Sequence, residues 1–344
     1  MNDTNKDIIS RFRESFQSTK ESLPYKAIRE KALQELLKTG MPGKKNEKYK
    51  YNFLSPLFES YFSEENAGLP IASIKPVLAN MASIRLQNGM VASSDSVHNL
   101  ISCSLSQALS SHRETAENHL GRYSANEDGF VSLNTMMFAD GLFLQVPKSF
   151  STGTVQISDH YNAAWSHSRK LIVAGENSET EIILFETSDD NKTTRANTVT
   201  EIHAARDSRL TLIKIQANNS HSNLSHTFVH QEKGSRVTTI FITLDGSNNR
   251  NNVHVRLNGD GADHQHYNLF LADKSNIADV YTHINHSSPN CTSNQLVKGI
   301  LKGKSTGIFN GMIYVSPDAQ KTAAYQKNES IILDNDAKMY TRPQ

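Results

Sequence analysis

From about residue 131 onward the chain is written in short β-rich segments separated by corners, with no break in texture. The segments are FLQV (143–146), TVQISDH (154–160), KLIVAG (170–175), EIILFE (181–186), TVTEIH (198–203), RLTLIKIQ (209–216), RVTTIFITL (236–244), NVHVRLNG (252–259) and HYNLFLAD (266–273). Between them sit Gly, Asn, Asp and Ser, which accept positive φ or bond their own backbone. Helical periodicity is absent. Three architectures suit such a run: a sandwich, a barrel or a β-solenoid. Two features favour the solenoid. Polar residues stand beside aliphatic ones within strands, as in VHVRLNG, which suits one inward and one solvent face. The run is also long for one sandwich. No exact repeat is visible.

The stretch Asn285–Asn328 shows the rhythm most clearly. Gln295–Leu301 reads as a strand turned by Gly303-Lys304, and Ser305–Phe309 as a second, turned by Asn310-Gly311. Met312–Val315 then runs to Pro317-Asp318. Gly311 is expected at a positive-φ corner, where valine is strained.

The first 130 residues read differently, as a mainly helical region with a few short strands. Ile8, Ile9, Phe12 and Phe16 recur at helical spacing, and Ala27, Ile28, Ala32, Leu33, Leu36 and Leu37 form an apolar face. Pro24 is expected in the first turn of that second helix, and Gly40 and Pro42-Gly43 end it. Residues 41–66 form a basic, tyrosine-rich connector in which Tyr49 and Tyr51 alternate with lysines, a pattern that also stacks on nucleic-acid bases. IRLQNGMV (84–91) reads as a strand with an Asn88-Gly89 turn, and residues 104–121 as helical.

Composition narrows the function classes. Over 344 residues the formal net charge is +1, which supplies no global attraction to nucleic acid or anionic lipid. No apolar run approaches a membrane span, and the N-terminus lacks the apolar core of a secretory signal. The two cysteines, Cys103 and Cys291, are far apart and outside any CxxC, as expected of reduced thiols in the cytoplasm.

Candidate chemistry is sparse. GILKGKS (299–305) has three residues between Gly299 and Gly303-Lys304-Ser305 where a phosphate loop needs four, and a strand follows it instead of a helix. Histidine is plentiful, at 14 residues. His264 and His266 alternate on one strand and share a face. His283, His286 and Cys291 are the candidate metal ligands by residue type, although the spacing matches no zinc motif. Asp245, Asp260, Asp263 and Asp273 read either as an acid/base set or as corner aspartates.

Several longer blocks carry a resemblance. GMPGKKNEKYKY (40–51), LNTMMFADGLFLQVP (133–147), LIVAGENSE (171–179), RNNVHVRLNGDGAD (250–263), residues 289–328 and TRPQ (341–344) resemble the SufB/SufD family of the SUF iron–sulfur cluster assembly machinery. The resemblance implies a mainly β protein: a right-handed parallel β-helix over 131–344 with an N-terminal helical region over 1–130. It implies a non-enzymatic scaffold that pairs with a SufB-like subunit through the β-helix and reaches a SufC-like ATPase through C-terminal helices. The cluster would be assembled by the complex, with no cofactor bound stably by this chain alone. The family commonly has Trp-Lys-Tyr where this chain has Tyr49-Lys50-Tyr51. Its Lys-Cys-Ser-His-Gly motif and C-terminal helices have no counterpart in these residues, so neither the interface site nor the ATPase-binding domain is expected here. Self-association through the open end of the β-helix is a further expectation. The alternatives are a β-helix enzyme acting on polysaccharide and an unrelated His-rich metal-binding protein.

Overall fold

In the computed structural model, which describes residues 3–63, 74, 76–125, 127–189, 192–217 and 221–344, the chain winds into stacked coils. It opens with α1 (Asp3–Thr19) and α2 (Lys26–Thr39), passes 3-10 turns at Glu47–Tyr49 and Ser55–Ser60, and forms a hairpin of β1 (Ser83–Gln87) and β2 (Met90–Ser94). Strand β3 (Ile101–Ser104) and helices α3 (Leu105–Ser111), α4 (Arg113–His119) and α5 (Gly129–Met137) follow. The long β run comprises β4 (Leu142–Val146), β5 (Ser151–Tyr161), β6 (Trp165–Ala174), β7 (Glu179–Ser188), β8 (Thr194–Ala204), β9 (Arg209–Ala217) and β10 (His221–Gln231). It continues through β11 (Arg236–Thr243), β12 (Asn248–Leu257), β13 (Asp263–Ala272), β14 (Ile277–His286), β15 (Thr292–Leu301), β16 (Thr306–Val315), β17 (Ala323–Ile332) and β18 (Lys338–Pro343).

Among the described residues the strands form two sheets. Odd-numbered strands from β5 to β17 run parallel in sheet A, which also holds β1 and β2, and even-numbered strands from β4 to β18 run parallel in sheet B, which also holds β3. This is a parallel β-solenoid of seven coils, from β5/β6 to β17/β18. The repeat varies from coil to coil. Asn223 stands opposite Asn249, 26 residues on, whereas Thr306 stands opposite Lys338, 32 residues on. That variation hides the repeat in the sequence.

One corner is built the same way five times. Asn177, Asp207, Gly234, Gly261 and Asn290 all hold positive φ. Each donates its backbone N–H to the next coil, to Arg206, Lys233, Asp260, Pro289 and Gln320 respectively, at 2.9–3.2 Å. The residue after each is small and buried: Ser178, Ser208, Ser235, Ala262 and Cys291. The left-handed backbone favours Gly, Asn or Asp at the preceding position; Ser149, which donates to Glu176 one coil earlier, also holds positive φ.

The lumen holds an apolar stack, including Ile157, Leu184, Leu212, Phe241, Val255 and Ile284, beside a polar stretch. Lys170 donates to Asp159 at 2.7 Å and to Ser168 at 2.8 Å. Lys214, pushed down to about 8 by burial, donates to Ser225 and Asn251, while Gln216 and Asn223 donate to Glu186. The two inward lysines escape any reading that equates inward with apolar.

The helical region packs on the outer face of sheet B. Phe12, Phe58 and Phe130 meet Trp165 and Leu224 in one cluster, and Leu105, Ala116 and Phe138 meet Leu171 and Val173 in another. Buried polar groups fix this docking. Asn134 of α5 donates to Ser168 and Asn197 carbonyls, and Asn197 donates back to the Phe130 carbonyl. Arg169 pairs with Glu201, both buried, and the Glu201 carboxylate also accepts backbone N–H groups of Gly121, Tyr123 and Ser124. Arg29 lies 3.6 Å over the Phe138 ring and donates to the Pro24 and Met136 carbonyls.

Several local expectations change. Asn310 and Gly311 lie inside the continuous strand β16 and make no corner. A Cβ at Gly311 meets Phe309 and Gln326 at 2.6–2.7 Å, so the constraint is packing and not backbone strain. Pro24 lies outside α2, whose N-cap is Tyr25 in the left-handed region. Arg29 completes the buried face of α2 with Ala32, Leu33 and Leu36, while Leu37 is exposed. Residues 104–121 split at His112 into two helices, and α5 starts before the expected onset of β structure, its N-terminus capped by Asp128. Residues 64–66 of the connector lie outside the described residues.

Arg169→Met leaves the Glu201 carboxylate buried without its cation. A destabilisation of about 3–5 kcal/mol is expected in denaturant melts, with partial recovery in Arg169→Met/Glu201→Gln, which keeps a neutral acceptor. Equal loss in both variants sinks this account. A second outcome concerns pH. Burial pushes His167, His221, His254 and His266 down to about 3. The unfolded chain therefore binds more protons between about pH 6.5 and 3, and stability falls as pH drops through that window, by about 1.4 kcal/mol per group per unit. Melting temperature should fall between pH 7.5 and 5, above the ordinary carboxylate range; a flat profile contradicts neutral burial.

Candidate partner-docking surface

Strand geometry separates the candidate ligands. On β14, Ala278, Val280, Thr282, Ile284 and His286 face the lumen, while Asp279, Tyr281, His283 and Asn285 face outward. His283 and His286 are three residues apart and so lie on opposite faces. His286 is buried and its Nε2 lies 2.8 Å from Ser293 Oγ. Cys291 occupies the small corner position described above, its Sγ donating to the Gly259 carbonyl at 3.3 Å, and burial pushes its thiol up. The structure does not bring these three together. Among the described residues no group of three or more His, Cys, Asp and Glu is placed to hold a metal ion.

The other motifs resolve into structural roles. His264 and His266 share the lumen face, contacting Gln231 and Thr239 at 2.8 Å. Asp245, Asp260, Asp263 and Asp273 accept hydrogen bonds at corners, from Gly246, Asn290, Gln265 and Lys274 among others. The Gly303 N–H is taken by Asp334 at a corner, and no helix follows. Tyr49 is buried, donates to Asp128 and carries Arg250 over its ring at 4.1 Å. Asn52 exchanges amide hydrogen bonds with Asn248, and Tyr51 stacks on Tyr340 at 4.4 Å. The connector is a strap across the outer face of sheet B. Among the described residues no helix is long and apolar enough to cross a membrane.

What remains unmatched is surface. At the first end each sheet finishes in an antiparallel strand: β1 pairs with β2, and β3 with β4, so β2 and β3 are the terminal strands there among the described residues. At the other end β17 and β18 are the last strands of their sheets among the described residues. Apolar side chains crowd this end: Tyr325 is 68% exposed, Ile331 59% and Leu333 58%, with Val315 and Ile332 beside them. Outward from sheet A, Ile183, Ile213, Ile240, Tyr267 and Leu296 stack in one column and Phe185, Ile215, Ile242 and Leu269 in another. A free strand edge offers backbone donors and acceptors to another chain, and clustered apolar side chains add a hydrophobic gain on burial. Self-association through this end is an expectation of the sequence; which side chains are exposed there follows from the register of the last coil.

Comparison with known proteins follows the same outline. The family described as "SUF system FeS cluster assembly, SufBD core domain" matches residues 156–344, and "SufBD protein N-terminal region" matches residues 2–157. The chain is 25% identical over 340 residues to the iron–sulfur cluster assembly protein SufD of Escherichia coli, covering 91% of this chain and 75% of that one. It is 23% identical over 328 residues to an iron–sulfur cluster assembly SufBD family protein of Synechocystis, covering 88% and 72%. A chloroplastic SufBD family protein of Arabidopsis thaliana is 24% identical over 268 residues, covering 71% and 46%.

Exposed apolar residues at the last described coil should drive self-association. Sedimentation at increasing concentration is expected to show reversible association that Ile331→Lys/Leu333→Lys abolishes without lowering the melting temperature. A wild-type chain that stays monomeric throughout counts against this end as a docking surface.

Proposed function

The chain belongs to the SufBD family of SUF-system iron–sulfur cluster assembly proteins, and on that premise we propose that it is a non-enzymatic scaffold subunit of the assembly complex. Beside the family match, the observation that supports the reading is apolar surface along the solenoid: two aliphatic columns on the outer face of sheet A, joined by the exposed side chains of Tyr325, Ile331 and Leu333. The partner of the solenoid is a SufB-like subunit. The contact with a SufC-like ATPase is assigned to the C-terminal helices that the family carries. The cluster is cargo of the assembled complex, in the cytoplasm, and this chain holds none stably by itself.

The scaffold reading agrees with the fate of the chemical candidates. A groove enzyme acting on polysaccharide needs carboxylates free to exchange protons with substrate. Asp245, Asp260, Asp263 and Asp273 are instead occupied by corner hydrogen bonds. A His-rich metal protein needs converging ligands, and His283 and His286 diverge.

Co-expression with the SufB-like and SufC-like proteins of the same organism tests the reading. Affinity capture of this chain should retain the SufB-like subunit in constant ratio, and Ile331→Lys/Leu333→Lys should weaken that retention. The chain alone should show no ATP hydrolysis. Failure to retain a folded SufB-like protein, or hydrolysis by the isolated chain, removes the proposal.

A further inference from the structure

A cleft of about 420 Å³ opens on the outer face of sheet B, between strands β10, β12 and β14 and the loop that joins α4 to α5. Neither the scaffold role nor the docking end uses it. Its charged and ring-bearing polar lining is Arg122, Tyr123, Glu127, His230, His254, Arg256 and His283. Strand register sets the arrangement. His230 stands opposite Arg256 in the next coil, and His254 stands opposite His283, so two rungs lie side by side on one face. Arg122 and Tyr123 come from the loop on the other wall.

The walls are ordered by rings. Tyr123 stacks on His230 at 4.5 Å, and Phe228 on His254 at 4.7 Å. The Tyr123 hydroxyl lies 2.8 Å from His119 Nδ1 and 2.9 Å from His203 Nδ1, which anchors the loop to the sheet. Burial and the neighbouring cations hold His230 down to about 4 and lower His283, so both are neutral imidazoles at neutral pH.

Two features point to a ligand. His254 is nine-tenths buried, yet neither ring nitrogen has a hydrogen-bond partner. Its nearest acid, Glu127, lies 3.6 Å from Nδ1 and is bonded to Lys48. Arg122 and Arg256 are exposed, and among the described residues neither has a carboxylate within ion-pair distance. The cleft therefore combines two guanidinium groups that have no ion-pair partner among the described residues, and imidazoles that can each donate one N–H, with one carboxylate, Glu127, whose charge is met by Lys48.

From this placement we propose that the cleft binds a phosphate group, free or carried as a phosphate ester, between Arg122 and Arg256 with His254 donating from the floor. Guanidinium forks favour oxyanions. Donors arriving from opposite walls and from the floor suit a tetrahedral anion, whereas a planar carboxylate is satisfied by one fork. The volume leaves room beyond a bare phosphate for the organic part of an ester, against the Tyr123 and His230 rings.

Calorimetric titration of the intact chain with inorganic phosphate and, separately, with adenosine monophosphate tests the site. Saturable binding of one equivalent is expected. Tighter binding of the nucleotide identifies an ester as the ligand class, and equal affinity identifies free phosphate. Arg122→Gln/Arg256→Gln changes two exposed side chains and should lower affinity about tenfold or more, the loss of one or two charge-assisted bonds. Lys302→Gln/Lys304→Gln, at a distant corner, should bind as wild type. Absence of saturable binding for both probes at millimolar concentration overturns the proposal. So does an Arg122/Arg256 double variant that melts and binds like wild type, or an equal loss in the Lys302/Lys304 control.

Discussion

Everything in this fold depends on each coil handing its backbone hydrogen bonds to the next. A parallel strand cannot pair with its sequence neighbour through a tight turn, so every N–H and C=O must find its partner one full coil away. At the corners this demand is sharpest. Asn177, Asp207, Gly234, Gly261 and Asn290 turn the chain with positive φ while donating to the following coil, and the small residues after them fill the space beneath. Cys291 is one of that series, which explains its burial without recourse to metal chemistry.

The two sheets meet different fates outside the lumen. Sheet B is roofed by the helical region and the connector strap, and the join is made with buried polar groups as well as apolar ones: Asn134 with Asn197, Glu201 with the backbone N–H groups of Gly121 and Tyr123, and Arg250 with the Tyr49 ring. Such groups specify one docking geometry, because any shift leaves a buried charge or amide without its partner. Sheet A keeps its outer aliphatic columns half-buried, and among the described residues no helix covers them.

The roof also makes the phosphate-type cleft. Where the α4–α5 loop ends its contact with sheet B, the outward residues of β10, β12 and β14 are left facing a wall that carries Arg122 and Tyr123. Histidines three coils deep in sequence, His230, His254 and His283, become neighbours only through register. Their spacing of 24 and 29 residues matches no local motif.

By itself the sequence determined the β-rich solenoid texture, the corner residues, the hairpin at Asn88-Gly89 and the helices of α1 and α2, because these are set by local backbone preference and by alternation within a few residues. The family was legible in longer blocks such as RNNVHVRLNGDGAD. Tertiary structure alone decided the rest. It placed Asn310-Gly311 inside a strand, turned Lys170 and Lys214 into the lumen, put Arg29 on a buried helix face, and sent His283 and His286 to opposite sides. Each of these outcomes depends on which residue stands opposite in a coil 26–32 positions away or in the helical roof, and that register is a property of the stacked chain and not of any local segment.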